Sequence, residues 1–89
     1  MAPEQTPNEE QVILDFLKKV GLRIIDKRIE KGHESVADLS FEAKIGANQL
    51  RNYEKGNNMT MYSFARICLA LKVNPEEFFK GIKIVDEQS

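Results

Sequence analysis

The stretch IGANQLRNYEKG, running from Ile45 to Gly56, decides how this chain is read. It is a short helix-like segment between Gly46 and Gly56. Leu50 and Tyr53 are three residues apart and can share one buried stripe. The other side offers Asn48, Asn52 and Lys55, with Arg51 beside them. An ordinary solvated helix mixes Glu and Lys at a spacing of four. This face instead carries amide and guanidinium donors, and its only acid is Glu54. Such a surface suits a partner rich in acceptors and negative charge.

The flanking residues predict a helix on each side. Upstream, Ser35-Val36-Ala37-Asp38 has the form of a capping box, a hydroxyl followed three residues later by a carboxylate. It predicts a helix from about Val36 to Ala43 with Leu39 and Ala43 inward. Gly46 reads as a turn position that a side chain would crowd. The third helix then covers about Ala47 to Lys55 and stops at Gly56, with Asn57 and Asn58 in a polar loop. Downstream, Thr60 caps a fourth helix, about Met61 to Lys72, with Phe64, Ile67, Cys68 and Leu71 on one side.

Further out, Asn8 with Glu9 and Glu10 reads as a helix start. Val12, Ile13, Phe16, Leu17, Val20, Ile24 and Ile29 recur mostly at spacings of three and four, which predicts a long amphipathic helix. It reaches about Lys31, with a bend expected near Gly21 and a stop at Gly32. Asn74-Pro75-Glu76-Glu77 predicts a short fifth helix carrying Phe78 and Phe79 and ended by Gly81. The last residues, IKIVDEQS, read as a frayed tail or a short strand. No strand pair is visible elsewhere, so the fold class is all-α. The organisation expected is a loose arm over residues 1–8, one helical domain over 9–80 and a tail over 81–89.

Composition narrows the functions. At 89 residues there is room for one core. Apolar content of 42% and charged content of 30% fit a globular chain rather than a disordered one. No apolar run approaches a membrane span, and the acidic N-terminus has no export-signal pattern. A cytoplasmic location is expected. The single cysteine, Cys68, sits in an apolar run and reads as a small buried hydrophobe. With one cysteine and one histidine, His33, no disulfide or zinc cluster is expected. His33 reads as a solvated loop residue. No catalytic Ser/His/acid set, nucleotide loop or metal cluster is visible, so neither an enzyme nor a cofactor is expected.

The net charge of −1 hides a gradient. Residues 1–16 hold Glu4, Glu9, Glu10 and Asp15 and no base, a net −4. Residues 44–72 hold Lys44, Arg51, Lys55, Arg66 and Lys72 against Glu54 alone, a net +4. Local potential, not net charge, attracts phosphate.

Two short helices joined by a tight turn inside a five-helix domain have the pattern of a helix-turn-helix. From Leu22 to Phe79 the chain resembles the phage-repressor family, Cro/C1 or XRE-like. The segments that carry the resemblance are GLRIIDKRIEKG, SVADLS, IGANQLRNYEKG and FARICLALKVNPEEFF, in that order. The resemblance implies five packed helices and sequence-specific binding of double-stranded DNA, usually by a homodimer that regulates transcription. It makes the third helix the recognition helix, whose first, second and sixth positions commonly meet base edges. Those are Ala47, Asn48 and Asn52. The chain also departs from the family pattern. Val36 stands where a Gln often touches phosphate. Lys44 stands at the turn glycine, Gly46 where Ser or Thr often caps the third helix, and Phe41 is large for an exposed position.

The chemistry follows from the groove. An Asn side chain can accept from adenine N6 and donate to N7 at once. Asn52 is the first candidate for this contact and Asn48 the second. Gln49 can reach a base or a phosphate, Arg51 can read guanine or grip the backbone, and Ala47 offers a methyl contact. Lys44, Lys55, Asn57 and Asn58 sit where phosphates would pass. Plainer roles remain open: Asn48 and Asn52 as surface amides, and Arg51 in an ion pair with Glu54 or another acid. Leu50, Tyr53 and Phe64 are expected in the core. Phe78 and Phe79 divide between core and dimer seam. Val12, Ile13, Phe16 and Leu17 pack on a partner chain or on the chain's own fifth helix.

The first function expected is a DNA-binding transcriptional regulator, a homodimer with no membrane or small-molecule partner. The competing one is a protein-interaction module, an antitoxin or adaptor, that keeps the fold and binds DNA weakly.

Overall fold

In the computed structural model, which describes residues 8–85, the chain forms five helices and no strand among those residues. They are α1 (Glu9–Glu30), α2 (Val36–Ala43), α3 (Ala47–Glu54), α4 (Met61–Leu71) and α5 (Pro75–Phe78). Most of the expected arm and the last four residues of the tail lie outside the described residues.

Helix α1 starts where its cap chemistry predicts. The Asn8 side chain accepts from the Gln11 backbone N–H at 3.2 Å, and Glu9 and Glu10 occupy the positive end of the helix. The helix continues through Gly21 to Glu30. Gly21 is not a break in it but a point of close approach. A Cβ there would stand 2.5 Å from the Glu54 carbonyl oxygen and 2.7 Å from that of Tyr53. The absent side chain lets α1 lie directly on the C-terminal end of α3. Of the predicted stripe, Val20 and Ile24 are buried, while Ile29 near the helix end is exposed.

The capping box of α2 is complete. The Ser35 hydroxyl accepts from the Asp38 N–H at 3.1 Å, and the Asp38 carboxylate accepts from the Ser35 N–H at 3.3 Å. The helix ends at Lys44, which adopts the left-handed conformation at φ 60°, ψ 44°. Gly46 has the ordinary φ of −59°, and nothing lies within 4 Å of where its Cβ would be. The expectation of crowding at Gly46 is therefore corrected: the strained position of the turn is Lys44. Ile45 points into the core between the two. Gly46 caps α3 through its carbonyl alone, which accepts from Leu50 N–H at 2.9 Å.

Thr60 caps α4 by accepting from Ser63 N–H at 3.0 Å. Asn74 begins α5 without a side-chain cap bond, so Pro75 at the first position sets that start. The core gathers Ile24, Leu39, Leu50, Ile67, Leu71 and Phe78, all fully buried. Phe78 meets Phe64 edge-on at 5.1 Å between ring centres, and Phe79 stacks on Phe64 at 5.0 Å. Both phenylalanines thus belong to the protomer's own packing, and half-buried Phe79 also carries Phe16 of α1 at 6.4 Å. The Arg23 guanidinium donates to the Phe78 carbonyl and ties α1 to the end of α5. Cys68 is buried, and burial pushes its thiol pKa up from 9.0 to about 11.

Candidate nucleic-acid interface

Helix α3 is eight residues long and anchored from one side. Leu50 is fully buried and Tyr53 nearly so. The helical period then turns Asn48, Arg51 and Asn52 outward, and all three are exposed, as is Gln49. Ala47 is half-buried at the start of the helix. Lys44 is exposed before the turn, and Lys55, Asn57 and Asn58 are exposed beyond the far end. The helical period thus sets Asn48, Asn52 and Lys55, with Arg51 beside them, on one outward side of α3, and Lys44, Asn57 and Asn58 are exposed in the segments that flank it.

That surface lacks negative charge because its one acid is turned away. Glu54 does not pair with Arg51. It accepts from Arg28 of α1 at 2.9 Å, with the two side chains only 8% and 10% exposed. The Arg28 guanidinium also donates to the His33 carbonyl at 3.2 Å. A buried pair needs further hydrogen bonds to offset the loss of water, and this one has such a bond. The pair fastens the C-terminal end of α3 to α1. It leaves Arg51 and Lys55 as the charges of the outward side of α3, with Lys44 exposed in the turn before it.

The polar side chains of α3 are also ordered among themselves. Arg51 donates to the Asn48 side-chain oxygen at 2.9 Å. Gln49 donates to the Tyr53 hydroxyl, which donates in turn to the Ser63 hydroxyl of α4 at 3.3 Å. Asn48 and Gln49 each have part of their hydrogen-bonding capacity engaged. Asn52 has no such tie among the described residues, so both its carbonyl and its amino group face solvent.

Arg66, which adds to the local positive charge, does structural work. It donates to the Ala43 carbonyl at 2.7 Å and so satisfies the end of α2 next to the turn. Its guanidinium also lies 5.7 Å from the centre of the Tyr62 ring.

Several of these groups escaped the sequence reading. Arg28 sits four residues beyond Ile24, on the inward stripe of α1, where a charge requires a partner. Glu54 is the lone acid of a basic segment. Together they were the available signal for the buried pair. Nothing in the sequence marked the Arg66 bond to Ala43 or the contact at Gly21.

Among the described residues no helix is long and apolar enough to cross a membrane. Neither curated proteins nor solved structures give a significant match to this chain. A family model for the Cro/C1-type HTH DNA-binding domain matches residues 23–83, which takes in the last part of α1 and all of α2 to α5. With the fold and the helix-turn-helix in agreement over most of its length, the chain belongs to the Cro/C1-type helix-turn-helix DNA-binding family.

Proposed function

We propose that the protein is a sequence-specific transcriptional regulator that binds a near-palindromic operator as a homodimer, with α3 in the major groove. The observation that carries this reading is the outward side of α3, where exposed amides and bases stand without an acid because Glu54 is engaged by Arg28. The major groove, about 12 Å wide, admits one α-helix. Asn52, with both halves of its amide available, reads adenine. Asn48 and Gln49 meet neighbouring bases, Ala47 makes a methyl contact, and Arg51 reads guanine or holds the backbone. Lys44, Lys55, Asn57 and Asn58 bind phosphates and fix register. A twofold pair places the two α3 helices about 34 Å apart, one turn of DNA.

The testing experiment is a titration against a duplex selected from a random pool and against random duplex, each at low and high salt. Preferential binding of the selected duplex is expected. Affinity should also fall steeply with salt, at a log–log slope of about −0.9 per phosphate neutralised. Little binding to either duplex at either salt would overturn the regulator. It would favour the adaptor or antitoxin reading, which the half-buried Val36 at a common phosphate-contact position supports.

A further inference from the structure

The inward stripe of α1 runs through Ile13, Leu17, Val20 and Ile24, at helical spacing. Val20 and Ile24 on this stripe are 4% and 0% exposed, yet Ile13 is 52% exposed and its neighbour Leu14 is 41% exposed. The change comes where the rest of the domain ends. Gly56 packs against Lys18 and Phe79 against Phe16. One turn beyond Phe16, Val12 is still half-buried, but Ile13 and Leu14 stand exposed. This part of α1 also precedes residue 23, where the family match begins. An apolar helix face that the family domain neither includes nor covers calls for an occupant.

The charges point to one. Glu9 and Glu10 lie at the N-terminal end of this segment and Lys18 follows it, while Asp15, beyond its middle, accepts from the Gln11 side chain of the same helix at 2.9 Å. Two copies packed parallel would set the acids side by side. Two copies packed antiparallel, crossing at Ile13 and Leu14, bring Glu9 and Glu10 of each beside Lys18 of the other. Such self-complementarity is what a closed twofold interface requires. On the Phe16 side the face widens into a groove of about 360 Å³ lined with Phe79, Ile82, Ile84 and Val85.

We infer that the N-terminal half of α1 is the seam of a dimer, packed antiparallel against the same segment of a second copy of this chain. The inference deepens the homodimer part of the proposed function and rests on it, but it can be tested without DNA.

The test is sedimentation equilibrium on the full chain, with circular dichroism to confirm that each variant is folded. The wild type should dimerise at tens of micromolar. Leu14→Glu places a charge in the seam but at an exposed site of the protomer. It should leave helicity unchanged and weaken dimerisation at least ~10-fold, since each copy loses a buried leucine side chain. Lys18→Glu should weaken it by about threefold, and adding Glu9→Lys and Glu10→Lys to that variant should restore it. A wild-type monomer would overturn the seam and the homodimer together. The DNA reading would then be judged by whether that monomer still prefers the selected duplex. A dimer indifferent to Leu14→Glu would overturn the seam and leave a homodimer built elsewhere. Loss on Leu14→Glu without recovery in the charge-swapped variant would overturn the antiparallel packing.

Discussion

Asn52 stands on a helix whose opposite side is fixed by Leu50 and Tyr53, so its amide can be removed without disturbing the core. Asn52→Ala should cost about 1–3 kcal/mol on the preferred duplex and little on random DNA, because a base contact carries sequence information and a phosphate contact does not. Equal losses on both, measured by fluorescence anisotropy, would place Asn52 on the backbone. The Arg28–Glu54 pair should behave oppositely, affecting stability before specificity. Arg28→Met strands a buried carboxylate and should cost about 3–5 kcal/mol in urea unfolding, whereas Arg28→Met with Glu54→Leu should recover part of that loss. A double variant less stable than the single would show that the stranded carboxylate is not the source of the loss. Cys68 supplies a pH test. Its folded pKa of about 11 lies above the ordinary 9.0, so the folded state holds the proton more tightly. The stability from the neutral thiol is complete below pH 9 and is lost as pH rises toward 11. Cys68→Ala should therefore show a shallower fall in urea stability than wild type across that window.

At the scale of elements, the helix-turn-helix is held at its tightest point by a residue in an unfavourable conformation. Lys44 sits at φ 60°, a region that costs a side-chain-bearing residue about 1–2 kcal/mol. Lys44→Gly relieves left-handed strain of roughly 1–2 kcal/mol but loosens the unfolded chain by about 0.4–1 kcal/mol, so a net gain of up to about 1 kcal/mol is expected in thermal or urea unfolding. Loss of the phosphate contact should lower affinity for all duplexes alike and reduce the salt slope by about one. A variant that gained stability and kept its full salt slope would remove Lys44 from the interface. The helices themselves were legible because their signals are local: Asn8, the Ser35–Asp38 box and Thr60 fix starts, and spacings of three and four fix faces. The fit between helices was not. Gly21 looks like a bend when α1 is read alone and becomes a packing contact only once α3 lies across it. The outward residues of α3 were legible for the same local reason, since Leu50 and Tyr53 set the phase of the helix. Their mutual hydrogen bonds were not, because the Arg51–Asn48 and Gln49–Tyr53 contacts depend on side-chain rotamers that spacing does not specify.

For the whole molecule, opposite charges occupy different regions. The stretch through the start of α1 carries acids and no base, whereas bases outnumber acids around the turn and α3, so a near-neutral chain can present a positive side to a polyanion. The first and third helices are also joined more firmly than either is to solvent, through the bare backbone at Gly21 and the ionic tie between Arg28 and Glu54. The C-terminal end of α3 is therefore held against fraying. Peeling it away would uncover a naked carboxylate and guanidinium together with the Leu50 side chain. Its hydrogen-bonded amide protons, from Leu50 onward, should exchange with deuterated solvent only through cooperative opening of the entire domain, so this short peripheral helix would keep its shape before any ligand arrives.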